Sequence, residues 1–203
     1  MFGIHILAMG GEGVPDIVIE HLYKSYGDRA VLRDVCLRFP AGRVSCLMAP
    51  SGAGKTTLLR LLMGLEAPDR GRIAGLECLT VAPVFQENRL LEPLDARANL
   101  RLVSPNLGSE EMQAALARFG LQDSARQPVS ELSGGMRRRL ALLRALLSKG
   151  DVLLMDEPFT GLDEATRARI VRETLALIAG RTAILVTHDP DEAALTGAEV
   201  FRL

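Results

Sequence analysis

A glycine-rich stretch at residues 49–57 carries the clearest chemistry in the sequence. It lies between an apolar segment at 44–48 and a leucine-rich helical pattern. Small residues and glycines allow consecutive backbone N–H groups to face one anion, and the following helix adds the positive end of its dipole. The stretch therefore predicts a phosphate-binding loop made of Ala49, Pro50, Ser51, Gly52, Ala53, Gly54, Lys55, Thr56 and Thr57.

Three side chains of this loop have the types that triphosphate binding needs. Lys55 can reach the β- and γ-phosphates, Thr56 places a hydroxyl where Mg²⁺ is held beside them, and Thr57 adds a further phosphate contact. The pattern G-x-x-x-x-G-K-[ST] is met except at its first position, where Ala49 stands. Alanine is tolerated there if φ is negative. The alternative is a flexible linker followed by an ordinary amphipathic helix.

Two carboxylates end an apolar, strand-like run at residues 152–157. Asp156 can hold Mg²⁺ through its water shell, and Glu157 can polarise a water for attack on the γ-phosphate. The alternative is a solvated pair in a loop. The phosphate-binding loop upstream favours the metal site.

Polar residues also follow two other strand-like runs, at 81–85 and 182–187. Ligands of open α/β sheets collect beyond the carboxyl ends of the strands. Gln86 could therefore reach Mg²⁺ or water, although a hydrogen-bonded loop amide is an equal alternative. His188 could donate a hydrogen bond to the γ-phosphate, where a purely structural histidine is the competing interpretation.

A second anion-binding arrangement begins another helical pattern, whose start we expect to be glycine-capped. Its residues are Ser133, Gly134, Gly135 and Met136. The arginines at 137–139 would ordinarily form a solvated face, but beside this turn they could also contact Asp or Glu in the core. Tyr26, ahead of the phosphate loop, could stack on an adenine ring or simply pack.

Composition limits the classes of protein that fit. The chain has 203 residues, 48% of them hydrophobic, and a net charge of −1, as expected for one globular domain or one core with a subdomain. This charge does not predict the net positive field that favours general nucleic-acid binding. The longest apolar runs are strand-sized, and the first residues lack a signal-peptide pattern, so an intracellular address is expected. The three cysteines are expected to be buried, reduced thiols: Cys36, Cys46 and Cys78.

The periodicity predicts the elements that position these residues. Strands are expected at 17–19, 31–39, 81–85, 152–157, 182–187 and 200–201, with a turn at 25–28 between the first two. Helices are expected at 55–63, 95–103, 110–119 and 191–195. A further helix is expected to begin at 136, and another to end at Gly180. Residues 73–80 are too irregular to assign. Leu90, Leu91 and Leu94 either pack internally or form a patch for a partner.

Taken together, the sequence from about residue 17 to 203 resembles the nucleotide-binding subunit of ATP-binding cassette (ABC) transporters. Residues 49–56 look like the Walker A loop, 152–157 the Walker B strand and 132–136 the signature motif. Gln86, Asp163, His188 and Tyr26 match the Q-loop, the D-loop, the switch histidine and the adenine-stacking aromatic.

The resemblance implies an α/β fold: a P-loop NTPase (RecA-like) core with a mixed sheet flanked by helices, an N-terminal antiparallel β portion and a helical subdomain. The whole chain would be one domain, with an N-terminal arm at about 1–15, the nucleotide-binding core at 16–86 and 148–203, and the helical insert at 87–147.

It also implies the chemistry. ATP and Mg²⁺ would be bound, with Lys55, Glu157 and His188 catalytic and with Thr56, Gln86 and Asp156 around the metal. Two protomers would form a head-to-tail homodimer, or a heterodimer with a related subunit. Each ATP would then contact the phosphate loop of one protomer and the signature residues of the other.

The implied partners are transmembrane permease subunits, reached through the insert near residues 86–103, with a substrate-binding protein as a further candidate and no nucleic acid. The chain would be cytoplasmic and peripheral on the inner face of the cell membrane. Residues 84–91 are similar to the importer branch that handles nitrate, sulfonates and taurine. A C-terminal regulatory domain is not expected, because the sequence stops soon after His188.

Two departures from the family pattern leave alternatives open. Ala49 replaces the first Walker glycine and Met136 the usual signature glutamine, which motivates a non-hydrolysing nucleotide-binding regulator as the second hypothesis. An export or lipoprotein-extraction ATPase is also compatible. A relative acting on DNA or ribosomes is disfavoured, because 203 residues hold only one cassette.

Overall fold

The computed structural model describes residues 14–203, so most of the N-terminal arm lies outside it. The strands are β1 (Ile17–Tyr26), β2 (Arg29–Phe39), β3 (Val44–Met48), β4 (Arg70–Ala74), β5 (Val81–Val84), β6 (Val152–Asp156), β7 (Thr182–Thr187) and β8 (Glu199–Arg202). The α-helices are α1 (Lys55–Leu62), α2 (Ala96–Arg101), α3 (Ser109–Arg118), α4 (Gly134–Leu147), α5 (Glu164–Ile178) and α6 (Pro190–Thr196). Short 3-10 helices span Gln122–Ser124 and Val129–Glu131.

A five-stranded parallel sheet forms the centre of the molecule, in the order β5-β6-β7-β3-β8. Every residue of β6 and β7 is buried, as continuous apolar runs predict for strands covered on both faces. Successive side chains point to opposite faces, so Leu153 and Met155 join one core cluster while Val152 and Leu154 join the other. The carboxyl ends of β3, β6 and β7 therefore meet at one edge.

An antiparallel sheet in the order β2-β1-β4 packs beside this centre. Its apolar residues Ile17, Leu22 and Phe39 share a core cluster with the leucines of α1. Phe39 meets Phe201 of β8 edge-on, with ring centroids 5.0 Å apart. The parallel and antiparallel pairing expected from the sequence is thus divided between two sheets.

The segment between β5 and β6 is helical and packs on the other core cluster. Leu100, Leu116 and Phe119 are fully buried there, against the apolar side of α4. This side of α4 includes Leu140 and Leu143, as the predicted spacing requires. Among the described residues, no helix combines the length and apolarity needed to cross a bilayer.

The structure corrects four expectations. Strand β1 runs to Tyr26, well beyond residue 19, and β4 was not predicted. The sequence pattern does not indicate β4 because the strand contains Gly71. This glycine has a φ of 86° and approaches β1 so closely that a Cβ would lie 2.2 Å from the carbonyl oxygen of His21. Helix α4 is capped by Ser133, and Gly134 is its first helical residue. Only Cys46 is buried, since Cys36 and Cys78 are exposed.

Candidate nucleotide site

The phosphate-binding loop connects the internal strand β3 to α1. Gly52 and Gly54 have φ values of 79° and 96°, which other L-residues rarely adopt. A Cβ on Gly54 would also lie 2.7 Å from the Leu32 side chain. Ala49 is 7% exposed and does not adopt a positive φ, which is the condition under which alanine fits the first position of the loop.

Lys55 is held inside this loop. Its ammonium donates hydrogen bonds to the carbonyls of Ala49, at 2.8 Å, and Pro50, at 2.9 Å, and the residue is only 8% exposed. These two bonds use two of its three N–H groups. The N-cap of α1, Gly54, makes no side-chain cap bond, so the first-turn N–H groups of the helix can bind an anion.

Asp156 ends β6 at the same edge of the sheet and is 7% exposed. Burial raises the pKa of its carboxyl group and the negative charge of Glu157 raises it further, while Arg138, Lys55 and the Thr56 hydroxyl lower it. Asp156 lines a cleft of about 200 Å³ together with Thr56 and Gln86. This cleft offers hydroxyl, carboxylate and amide oxygens, the donor set that Mg²⁺ prefers. A divalent cation would also relieve the repulsion between the two acids.

Glu157 and His188 form a hydrogen-bonded pair beside this cleft. Glu157 Oε1 lies 2.8 Å from His188 Nδ1, and the two side chains are 15% and 55% exposed. The Glu157 backbone has a φ of 46°, and its N–H donates to the Val186 carbonyl at 2.8 Å. The positive φ turns the backbone just after the strand and lets the carboxylate face the end of β7. A largely buried carboxylate oriented by an imidazole can accept a proton from water.

The signature turn lies at the N-terminus of α4. Ser133 Oγ accepts a hydrogen bond from the Met136 N–H at 3.3 Å, while Ser133 and Gly134 are exposed. A Cβ added to Gly135 would lie 3.6 Å from the Leu162 side chain and 3.7 Å from the carbonyl oxygen of Gly161. The signature turn therefore touches the loop that contains Asp163.

Asp163 caps α5 by accepting a hydrogen bond from the Thr166 N–H at 2.9 Å. That backbone bond is the main reason why the pKa of its carboxyl group is lowered. Met136 is half-buried and packs against the core cluster around α4. The structure thus brings the loop of Asp163 next to Gly135. Thr56, Gln86 and Asp156 line the cleft, Lys55 and Glu157 lie close enough to Asp156 to shift its pKa, and His188 bonds to Glu157.

Tyr26 ends β1 and is 43% exposed. Its hydroxyl donates a hydrogen bond to Glu66, and the ammonium of Lys24 lies 5.6 Å from the ring centroid. Both contacts fix the orientation of the ring while leaving it accessible. Adenine stacking on Tyr26 stays a prediction.

Sequence reasoning anticipated part of the role of Arg138. The arginine run was expected to form a solvated face or to contact Asp or Glu of the core. Arg138 is 5% exposed and does contact Asp156 and Glu157, but its guanidinium bonds to their backbone carbonyls and to that of Pro158. Arg139 likewise donates to the carbonyl of Phe119 at 2.6 Å. A signal was present, because Arg138 is spaced i, i+3, i+4 and i+7 with the buried residues Ala141, Leu142 and Ala145.

The leucines that open the helical segment divide between the two interpretations. Leu90 packs against the core cluster. Leu91 and Leu94 are 47% and 37% exposed, and Leu102 is 56% exposed. Arg97, Arg101 and Arg126 line a cleft of about 490 Å³ with Leu94 and Leu102.

Comparison with known proteins adds independent findings. The family model described as "ABC transporter" matches residues 32–160. Aliphatic sulfonates import ATP-binding protein SsuB 2 of Burkholderia lata is 40% identical over 190 residues, covering 89% of this chain and 70% of the relative. SsuB 1 of Paracoccus denitrificans is also 40% identical, over 194 residues, covering 93% of this chain and 79% of the relative.

A solved structure confirms the fold. A bacterial Atm1-family ABC exporter with ATP bound superimposes with a TM-score of 0.83 at 24% identity. The match covers 93% of this chain and 37% of the exporter chain.

Proposed function

The chain belongs to the ABC transporter family, and we propose that it powers the import of aliphatic sulfonates or similar small organic anions. It is an ATP-binding and ATP-hydrolysing subunit. The two SsuB relatives are named for aliphatic sulfonate import, and they align with 89% and 93% of this chain. This similarity supports the import direction and the class of transported anion.

The main observation that supports ATP hydrolysis is the pairing of Glu157 with His188, next to Asp156. The Glu157 carboxylate faces the end of the neighbouring strand β7, with its Oε1 2.8 Å from His188 Nδ1. Glu157 would accept a proton from the attacking water, and His188 would hold the carboxylate in place during that step. Lys55 would neutralise charge on the β- and γ-phosphates.

Mg²⁺ fits the oxygen donors of the cleft, and we propose that Thr56, Asp156 and Gln86 hold it. When bound, the ion supplies positive charge that stabilises the phosphate oxygens. Asp156 is suited to this role because its burial and its acidic neighbour both favour a nearby cation.

A head-to-tail dimer would complete the site. The exposed signature turn offers the Ser133 hydroxyl and the N-terminal N–H groups of α4, but the phosphate-binding lysine is the first residue of α1. A second copy, or a related subunit, would bring its signature turn over this chain's ATP. The contact between Gly135 and the loop of Asp163 would place both elements at the same dimer interface.

The exposed leucines and the surrounding arginines support docking of transmembrane permease subunits on the helical segment. Leu94 and Leu102 supply apolar area beside Arg97 and Arg101. In this arrangement the chain would lie on the cytoplasmic face of the membrane, and the helical insert at 87–147 would transmit motion from the nucleotide-binding core. A substrate-binding protein would deliver the anion on the opposite face.

Hydrolysis can be tested on the purified chain. Phosphate release from MgATP should exceed that of a Lys55→Ala baseline and should fall by roughly 100-fold or more in Glu157→Gln, because the general base is lost. Glu157→Gln should also accumulate an ATP-dependent dimer in sedimentation velocity. Wild-type release equal to the Lys55→Ala baseline, also with membranes of the source cells added, would favour the non-hydrolysing regulator.

Import needs a separate experiment in cells. Source cells that carry Glu157→Gln in place of the wild-type gene should lose uptake of sulfur-labelled ethanesulfonate while keeping uptake of labelled sulfate. Unchanged uptake of both anions would refute the proposed anion class, but it would not contradict the proposed ATPase activity.

A further inference from the structure

Arg138 is a buried arginine on the helix that follows the signature turn. It is 5% exposed and lies one helical turn after Gly134, on the apolar side of α4. Burial lowers the pKa of its guanidinium, while the charges of Asp156, Glu157 and Glu192 raise it. A buried cation is costly unless its N–H groups are satisfied, so its bonds identify what it holds.

Those bonds reach two separate segments. Nη2 donates to the carbonyls of Asp156 and Glu157, both at 2.6 Å, and Nε donates to the carbonyl of Pro158 at 3.1 Å. Nη1 donates to the carbonyls of Phe85, at 2.6 Å, and Gln86, at 3.2 Å. The planar fork of one guanidinium thus joins the end of β6 to the loop that follows β5.

Both segments carry residues of the proposed catalytic site. Glu157 has a φ of 46°, an uncommon conformation for a residue with a side chain, and its carbonyl is one of the groups that Arg138 holds. Fixing this carbonyl fixes the direction in which the Glu157 carboxylate leaves the backbone. The carbonyl of Gln86 is held in the same way.

We propose that Arg138 is a positioning residue for ATP hydrolysis, which links the signature helix to the backbone of Glu157 and Gln86. This inference rests on the proposed function. A partner's ATP bound at the N-terminus of α4 would shift the helix, and Arg138 would carry that shift to the water-activating carboxylate and to the metal-side glutamine. Arg138 touches neither ATP nor water in this role.

Arg181 provides a matched control. It too is a partly buried arginine that donates to backbone carbonyls, those of Leu146 at 2.8 Å, Leu177 at 3.1 Å and Ser148 at 3.2 Å. Burial lowers the pKa of its guanidinium as it does for Arg138. None of these three partners belongs to the proposed site.

The experiment compares Arg138→Gln with Arg181→Gln. Both should lower the unfolding midpoint, but only Arg138→Gln should lower kcat, by on the order of tenfold to a hundredfold, with the KM for ATP little changed. Arg138→Lys keeps the charge without the fork and should not restore kcat. Unchanged kcat in Arg138→Gln, an equal loss in Arg181→Gln, or full rescue by lysine would each overturn the proposal.

A second measurement does not depend on turnover. Amide hydrogen exchange at residues 85–88 and 156–160 should accelerate in Arg138→Gln and not in Arg181→Gln. Equal exchange in the two variants would overturn the positioning role even if the wild type proved inactive. Inactivity of the wild type alone would count against the proposed function.

An independent cluster of metal-binding side chains lies on the β1–β2 hairpin. His21 Nδ1 is 2.7 Å from Asp34 Oδ1 and 3.8 Å from Cys36 Sγ, and all three donor atoms lie within 4.8 Å of one another. His21 and Asp34 have φ values of 47° and 53°, close to shifts in the strand register that turn their side chains together. The His21 N–H also donates to Cys36 Sγ at 3.2 Å.

We infer that His21, Asp34 and Cys36 form a binding site for Zn²⁺ or a similar borderline-soft divalent cation. Imidazole nitrogen, carboxylate oxygen and thiolate sulfur are the three ligand types that Zn²⁺ accepts, and water would complete four-coordination. The ion would replace the hydrogen bond between His21 and Asp34 and would join β1 to β2.

Co²⁺ serves as the probe, because a cobalt–thiolate bond absorbs in the near ultraviolet. The wild type should show this band, Zn²⁺ should displace it, and Cys36→Ser should abolish it. Cys78→Ser, which changes the other exposed cysteine, should keep it. His21→Asn and Asp34→Asn tolerate positive φ and should weaken binding. No band in the wild type, or a band that survives in Cys36→Ser, would refute the site.

Discussion

Helices α1 and α4 both present an N-terminus suited to an anion, but their surroundings differ. The start of α1 follows a central parallel strand, has two glycines at positive φ and holds a lysine that is 8% exposed. The start of α4 is capped by the Ser133 hydroxyl, and Ser133 and Gly134 face outward. The N-terminus of α1 therefore lies in a pocket, called the α1 pocket below, whereas the N-terminus of α4 lies on the surface.

This difference indicates that the two helix N-termini have different roles in nucleotide binding. The loop before α1 combines backbone N–H groups, the ammonium of Lys55 and the nearby oxygens of Thr56 and Asp156, so it can bind a triphosphate within one chain. The turn before α4 offers only a hydroxyl and N–H groups, which can contribute hydrogen bonds to a phosphate that another binding site already holds. Variants at the two sites should therefore separate binding from turnover.

The largest effect is expected for Lys55→Ala. Removing the ammonium deprives the β- and γ-phosphates of their charge partner and leaves the carbonyls of Ala49 and Pro50 without their donor. We expect hydrolysis to fall by on the order of a hundredfold to a thousandfold. ATP affinity measured by calorimetry should fall as well. Normal affinity in this variant would show that the α1 pocket is not the main binding site.

Gly134→Glu should have the opposite profile. No atom lies within 4 Å of a Cβ at this position, and a carboxylate in the first turn favours the helix. The unfolding midpoint and the ATP affinity of the single chain should be retained. Turnover should drop by roughly tenfold or more, because the carboxylate would repel a partner's triphosphate.

Gly134→Gln adds a side chain of the same size without the charge, so the further loss of turnover in Gly134→Glu measures the repulsion alone. Mixing Gly134→Glu with Lys55→Ala should increase association in MgATP over either variant alone, since a mixed dimer has one site built from two unaltered halves. Full turnover in Gly134→Glu would refute the shared site.

Much of the α1 pocket could be predicted from the sequence because its chemistry is local. Glycines, lysine and threonine at fixed spacing define the loop, and an apolar run that ends in Asp156 and Glu157 defines the strand beside it. The strand ends that carry Gln86 and His188 follow from the same logic. Parallel pairing then brings these ends together.

Long-range backbone contacts were not predictable in this way. Gly71 hides β4 because its close approach to β1 depends on a partner strand about 50 residues away in the sequence. The Arg138 bonds to residues 85–86 and 156–158 depend on where two loops meet. The positive φ of Glu157 likewise arises from tertiary structure and not from its residue type.

An intermediate effect is expected from pH. The pKa of Asp156 is raised in the folded chain, so the folded state binds its proton more tightly than the unfolded state. The free energy of unfolding should therefore decrease as pH rises from the ordinary aspartate pKa of 3.8 through the higher pKa of the folded chain. Asp156→Asn should be more stable than the wild type at neutral pH, and this gap should narrow toward acid.

Urea unfolding in EDTA, measured from acidic to neutral pH, checks this sign. In EDTA-free buffer, added MgATP should stabilise the wild type more than Asp156→Asn, because only the carboxylate can pair with the ion. A wild type that is more stable than Asp156→Asn at neutral pH without Mg²⁺ would contradict the assignment of burial as the dominant cause.

The smallest effect is expected for Ala49→Gly, which restores the family's usual loop residue. Ala49 does not adopt a positive φ and is 7% exposed, so the loop gains nothing from glycine's conformational freedom. The unfolded chain gains entropy, and the free energy of unfolding should fall by about 0.4–1 kcal/mol with turnover unchanged. Phosphate release and urea unfolding of the same preparation measure both quantities. A several-fold rise in turnover would show that alanine distorts the α1 pocket, and the contrast between the complete pocket at α1 and the half-site at α4 would then be weaker than the geometry indicates.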